Sequence, residues 1–423
     1  MSHRLARNLA RVKPGTVFVG VDLALDRNVA IVIDERAQCI TKFRFANDRN
    51  GYLCFHRRIE SACDEHGAAG ALVGMEPTNY FWKLLAAWLE GEQIEYRLVN
   101  AYTVKKHREG DQLDRSKDDP RDAFMIADLL RTGKYTETQL LHGGYAELRQ
   151  SAILYGRIGR EVRRHKNVLR AAVGQLFPEL PQVFRNLAGD TALAMLRNHA
   201  SAAVVRQMPL DVFIDKVRED LSGSRLAVSK LHRAHVLARG SVGLCEGLES
   251  LQQTIRMEIE TLAVLARQLD QAQSGLLSAF LALPEAPYLS SVPYLGKTTA
   301  AIILAEIGDP GKYSNAAQLI KLAGTQPTRN TSGQKSKSLT PISRKGRPNL
   351  RSALYFSSLR LVQRNEVFSR NYRYLQEREE NPLTKMQALV VIMNKLLRIL
   401  WALMRTHTLY DPAVHAANCR CAA

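Results

Sequence analysis

The sequence predicts an α/β part followed by a purely α part: a mixed sheet with helices near the N-terminus, a central helical or coiled-coil module, and a mainly helical C-terminal domain. Three observations predict it. β-type apolar runs alternate with helical stretches between residues 16 and about 131. Strand signals then vanish from about 145 to 280, where apolar residues recur at helical spacing. After 283 the composition shifts once more, toward short helices, turns and basic loops. A chain of 423 residues exceeds what one hydrophobic core usually serves. The expected division is a basic flexible segment 1–15, an α/β domain 16–140, a coiled-coil module 141–282, a C-terminal domain 283–408 and a disordered tail 409–423.

Taken in order, 17–22 and 29–34 are apolar runs joined by the polar turn 24–28, a hairpin signature, and 39–45 adds a third strand. Residues 52–68 read as a helix, 71–75 as a short buried strand, 81–90 as a helix and 95–99 as a strand, and a further helix opens at Asp119-Pro120. In the middle, 148–176 and 248–277 carry heptad-like apolar positions, among them Leu251, Ile255, Ile259, Leu262, Leu265 and Leu269. Packing within one bundle and pairing between chains both satisfy this pattern. Around Gly296, residues 289–308 read as helix, tight turn, helix, a helix-hairpin-helix-like segment whose backbone N–H groups can hold a phosphate without reading bases.

Charge narrows the partner. Lys and Arg total 59 against 41 Asp and Glu, a formal +18 that attracts a polyanion. Between Pro310 and Asn365 there is no acidic residue, yet eleven Lys and Arg are present, including Arg329, Lys335, Lys345, Arg347 and Arg351. A second cluster, Arg157, Arg160, Arg163, Arg164, His165, Lys166 and Arg170, falls largely on one helix face; it suits a nucleic-acid backbone, and a solvated coiled-coil flank would look alike. No apolar run approaches the roughly 18 to 20 residues of a membrane span, and no signal-peptide core follows the basic N-terminus, so a cytoplasmic protein without a membrane partner is expected. The six cysteines show no CxxC spacing and read as reduced thiols, and the eleven histidines form no zinc motif.

Four carboxylates stand out. Asp22 ends the first strand in Val-Gly-Val-Asp, Glu76 follows the strand 71–75, and Asp119 and Asp122, three apart, share one face at the start of a helix. Like charges at one end of a sheet favour a neutralising hard cation, Mg²⁺ or Mn²⁺, which can polarise a scissile phosphate. Asp119 and Asp122 also suit plain helix capping. Asp118 is the immediate neighbour of Asp119.

These four residues, in Val-Gly-Val-Asp22, Gly-Met-Glu76-Pro and Ser-Lys-Asp-Asp119-Pro-Arg-Asp122-Ala, resemble the motifs of the DEDD transposases of bacterial insertion sequences. That family includes the pilin-gene inverting recombinases and the bridge-RNA-guided recombinases. The resemblance implies a RuvC-like N-terminal domain of the ribonuclease H fold, with Asp22, Glu76, Asp119 and Asp122 as its tetrad. A lone Ser-Gly is ordinarily a turn, but the resemblance makes Ser332, in the Ser-Gly that follows Ala-Gly-Thr-Gln-Pro, the nucleophile, with Thr331 its neighbour and competitor. It implies donor and target DNA as partners, a structured bridge RNA, and a homo-oligomer, dimer or tetramer, in which tetrad and serine come from different subunits. Where the family commonly has Pro-Gly, this chain has Pro293-Tyr294. Two rivals remain: a RuvC-like junction nuclease acting by activated water, which needs no serine, and a DNA-binding architectural protein with an inert acidic site.

Overall fold

The structure, a computed structural model, describes residues 3–77, 80–111, 119–136, 140–221, 223, 225–246, 248–328, 331–332, 335–336 and 341–418. For 3–4, 108–111, 119, 331–332 and 335–336 the description covers the backbone alone. Asp118, Arg329, Lys337, Cys419 and Cys421 lie outside the described residues, as do the side chains of Asp119, Ser332 and Lys335. The chain forms two compact units, Met1–Leu141 and His142–Ala423.

The first unit is a five-stranded mixed sheet with helices on both faces. Its strands β1 (Thr16–Asp22), β2 (Arg27–Ile33), β3 (Cys39–Ala46), β4 (Gly70–Met75) and β5 (Tyr96–Leu98) lie in the order β3-β2-β1-β4-β5. β1 is antiparallel to β2 and parallel to β4, and β4 is parallel to β5. Its helices are α1 (His3–Leu9), α2 (Arg49–Glu65), α3 (Phe81–Gly91), α4 (Ala101–Asp111) and α5 (Asp119–Arg131). Strand alternation sorts the two faces. Val17, Val19, Val21, Val73 and Met75 pack with Phe55 of α2 and Leu85 of α3, while Phe18 and Leu72 pack with Ala123, Ile126 and Leu130 of α5.

Two expectations shift here. Helix α2 begins at Arg49 rather than 52, because Asp48 caps it by accepting from Gly51 N at 2.7 Å. The N-terminal segment, expected to be flexible, contains α1, which docks by its apolar Leu5 and Leu9 over Gly133. Buried Asn8 donates to the Gly133 carbonyl at 2.8 Å, and the Tyr135 hydroxyl donates to the Asn8 carbonyl at 2.9 Å.

The second unit is built on two 34-residue helices, α6 (Gly143–Leu176) and α12 (Leu248–Leu281). Their apolar rows pack against each other within one chain, and His165 Nδ1 meets Glu258 Oε2 at 2.7 Å across the pair. Between them α7 (Leu180–Val183), α8 (Asp190–His199), α9 (Ala202–Val205), α10 (Leu210–Glu219) and α11 (Val228–Ala238) share a core with the adjacent ends of α6 and α12, around Phe177, Met195, Phe213, Leu231 and Ile255. At the other end of the long pair, Leu148, Leu276 and Phe280 share a core with α13 (Ala286–Ser290), α14 (Lys297–Ile307), α15 (Ala316–Ala323), α16 (Pro348–Arg364), α17 (Glu366–Glu377) and α18 (Lys385–Thr406).

The expectation that nothing in the chain matches a membrane span needs correcting. Helix α18 is long and apolar enough by composition, but Leu389, Ile392, Leu396, Leu397 and Leu400 are core residues, and Lys395, Arg398 and Arg405 interrupt it. The tail expected to be disordered also carries a helix, α19 (Pro412–Ala417), capped by Asp411, which accepts from Ala413 N at 2.7 Å. It is held because His415 is buried against Phe368, with ring centroids 4.6 Å apart, and Tyr410 N donates to Ser291 Oγ at 2.8 Å. Cys39, Cys54, Cys63 and Cys245 are free thiols.

Candidate functional site

Strand register brings the first two carboxylates to one edge. β1 and β4 pair in parallel with Val21 opposite Met75, so Asp22 and Glu76 each come one residue later at the C-terminal ends of neighbouring strands. Alternation turns Val21 and Met75 toward α2 and α3, which puts the next positions on the α5 face.

Helix α5 is seated on that face by a pair of glycines. Gly20 and Gly74 are register partners. A Cβ on Gly20 would overlap the Ala123 carbonyl oxygen and come within 2.6 Å of Ala127 N, and one on Gly74 would come within 2.5 Å of Leu130 Cδ1. The helix backbone therefore lies directly on β1, two residues before Asp22, and Asp122 immediately precedes Ala123. The first turn of α5, Asp119 included, opens at the same end of the sheet as Asp22 and Glu76. Among the described residues no three His, Cys, Asp or Glu side chains form a metal-ready group. The donor set is carboxylate oxygen, the type hard divalent cations take.

A supporting network escaped the sequence reading. Asp128, further along α5, meets His107 Nε2 of α4 at 2.8 Å and accepts from Arg131 Nε at 2.9 Å. Burial pushes the Asp128 carboxyl up, but the Arg131 and His107 hydrogen bonds outweigh it and hold the group below the usual carboxylate range. The signal in the sequence is faint, a His and an Asp 21 positions apart on helices whose pairing is tertiary.

In the second unit, β6 (Thr331–Ser332) pairs antiparallel with β7 (Lys335–Ser336), placing Lys335 opposite Ser332 in the ladder. The arm that carries them is closed at its base by Thr328 N donating to the Pro341 carbonyl at 2.9 Å and Ser343 N donating to the Gln326 carbonyl at 2.9 Å. Below the base, Arg351 Nη1 donates to the Ala323 carbonyl at 2.9 Å, and Arg347 Nη1 donates to the Glu306 carbonyl. Glu306, 4% exposed, pairs with Arg149 of α6 at 2.6 Å and stands 3.9 Å from Arg347. Arg347 and Arg351 thus fasten the arm to α14 and α15, a role their basic charge alone did not reveal; Lys345 is exposed beside them.

Arg157, Arg160, Arg163, Arg164, Lys166 and Arg170 lie along α6, and Arg160 and Arg163 line a cavity of about 550 Å³ with Thr299 of α14 and Asn349 and Phe356 of α16. His165, grouped with them in sequence, faces Glu258 instead. The expected turn near Gly296 is present: α13 and α14 flank it, Gly296 is the N-cap of α14, and Tyr294 sits at φ +66°.

Comparison with known proteins agrees with this architecture. A transposase family model, DEDD_Tnp of IS110, matches residues 19–178, and the model of the IS116/IS110/IS902 transposase family matches residues 286–373. The chain is 25% identical over 419 residues to the 42 kDa protein of insertion element IS900 from Mycobacterium paratuberculosis, covering 95% of this chain and 98% of the relative. It is 26% identical over 307 residues to the 43.6 kDa protein of insertion element IS110 from Streptomyces coelicolor, with 71% and 74% covered. It is 30% identical over 131 residues to the pilin gene-inverting protein of Moraxella bovis, with 31% and 40% covered. A mixed α/β unit with acidic residues at one strand edge, joined to a basic helical unit, is here an enzyme that moves or rearranges DNA, a transposase or recombinase. The chain belongs to the IS110 family of DEDD transposases. Members of that family generally use a divalent metal ion.

Proposed function

We propose that this transposase cleaves and rejoins donor and target DNA strands with a RuvC-like acidic tetrad and a nucleophilic serine. The observation that carries the reading is the register of Val21 with Met75, which sets Asp22 and Glu76 at one edge with the start of α5. Asp22, Glu76, Asp119 and Asp122 would hold Mg²⁺ or Mn²⁺, which when bound supplies positive charge to the scissile phosphate. Ser332 Oγ attacks the phosphorus and the bond to the leaving strand oxygen breaks. The serine proton ends on that oxygen, and a phosphoserine ester conserves the bond energy for rejoining. Lys335, opposite Ser332 in the ladder, and Arg329 and Lys345, near it in sequence, supply further charge for the phosphate. The cations Arg157 to Arg170 on α6 bind nucleic-acid backbone. A structured bridge RNA specifies both DNA partners, and the protein acts as a homo-oligomer that combines one subunit's tetrad with another's serine.

Trapping the protein–DNA adduct tests this. Ser332→Ala abolishes the adduct and recombination, and Asp22→Ala abolishes cleavage. Strand cleavage that persists in Ser332→Ala with no adduct would replace this reading with hydrolysis by activated water. Nuclease-protected RNA recovered from the gently purified protein tests the guide; its absence removes the RNA from the scheme.

A further inference from the structure

The five short helices α7 to α11 fall between the segments matched by the two family models, which end at 178 and resume at 286. They share a core with the adjacent ends of α6 and α12, which leaves their outer surface open to a partner. One cleft of about 600 Å³ opens among them, and it gathers Arg185, Arg225, Lys230 and Arg233 on its walls. All four are exposed, and Arg185, Arg225 and Arg233 form no ion pair among the described residues. Lys230 lies over the Phe184 ring at 5.7 Å, and both line the cleft. The carboxylate on the cleft wall, Asp190, sits in the first turn of α8, where it complements the helix dipole.

Charge is segregated in this module. Between residues 177 and 247 there are nine Lys and Arg and seven Asp and Glu, a near balance, yet four of the seven carboxylates, Asp211, Asp215, Glu219 and Asp220, lie on or at the end of α10. A solvated surface normally mixes signs, and the cleft sets four cations against one carboxylate, a surplus that a polyanion offsets. Arg is also the side chain best suited to hold phosphate through paired N–H donors.

We propose that this cleft is a binding site for the phosphodiester backbone of nucleic acid, separate from the residues that perform the strand chemistry. It rests on nucleic acid being the substrate and not on the serine or the metal. Two arms, duplex DNA and a hairpin RNA, decide which strand occupies it.

The test is equilibrium binding of the full chain across a salt series. Removing one phosphate-binding cation lowers the slope of log affinity against log salt by about 0.9 for duplex DNA and about 0.7 for single strands. Arg185→Gln/Arg233→Gln should flatten the slope by about 1.8 on duplex DNA, or by about 1.4 where the bound strand is single. Lys216→Gln/Arg218→Gln on α10 removes the same charge away from the cleft and should leave the slope as in the native chain. A matching melting temperature confirms that both variants are folded. Flattening with DNA, RNA or both supports the site and names its occupant. Equal slopes for the cleft variant and the α10 control with both nucleic acids overturn it.

Discussion

Asp22 and Glu76 occupy equivalent positions on neighbouring parallel strands, each one residue beyond the register pair Val21 and Met75. Parallel neighbours lie about 4.8 Å apart, so two carboxylates there repel each other, and a hard cation between them offsets the repulsion. Removing one charge should therefore remove a cation ligand and cost function. Asp22→Asn is expected to lose strand cleavage by at least about 100-fold while staying folded without divalent ion. The native chain should melt higher as Mg²⁺ or Mn²⁺ is added, by mass action, and Asp22→Asn should not. Calorimetric scans with and without the ion decide it.

Close approach at Gly20 predicts a second asymmetry. Gly20→Ala places a methyl group against the Ala123 carbonyl and must push the first turn of α5 off β1. The expected result is a loss of cleavage together with destabilisation of about 1–3 kcal/mol. Gly91→Ala, whose Cβ meets nothing within 4 Å, should leave both unchanged. Denaturant melts and cleavage assays on the two variants check the contrast.

Tyr294 holds φ +66° with 54% of its surface exposed. A left-handed conformation costs an L-residue about 1–2 kcal/mol and costs glycine little, while an exposed ring returns little packing. Tyr294→Gly should thus stabilise the chain by up to about 1 kcal/mol, seen as a higher denaturation midpoint. A fall in the midpoint would mean that the ring contributes more than its backbone strain takes away.

The tail helix α19 should release in mild acid. Burial, helped by Lys395, pushes the His415 imidazole down to about 4 from the ordinary 6.5. Its Nδ1 bonds the Tyr410 hydroxyl at 2.7 Å, while Nε2 is buried with no partner among the described residues, so a second ring proton has no acceptor there. The folded state therefore favours neutral imidazole. That stabilisation is complete above about pH 6.5 and declines as the pH falls toward 4, because the unfolded chain takes up the proton first. Proteolysis or hydrogen exchange of residues 410–418 should quicken across that window, and His415→Gln should flatten the dependence.

What the sequence determined by itself was local or compositional. The alternation of runs between 16 and 131 specified a mixed α/β sheet, and 3.6-residue spacing specified the long helices, because burial periodicity is written into the order of residues. The repeated Val-Gly-Val-Asp22 and Val-Gly-Met-Glu76 even carried the glycine platform, legible once both strands are seen to share a register. Tertiary structure decided what depends on partners distant in the chain. It turned the N-terminus and tail into docked helices through Asn8 and His415, and paired the long helices with each other. It gave Arg347 and Arg351 carbonyl partners below the serine arm. A basic side chain reads the same in sequence whether it waits for phosphate or is already bound to a backbone oxygen, and only packing separates the two.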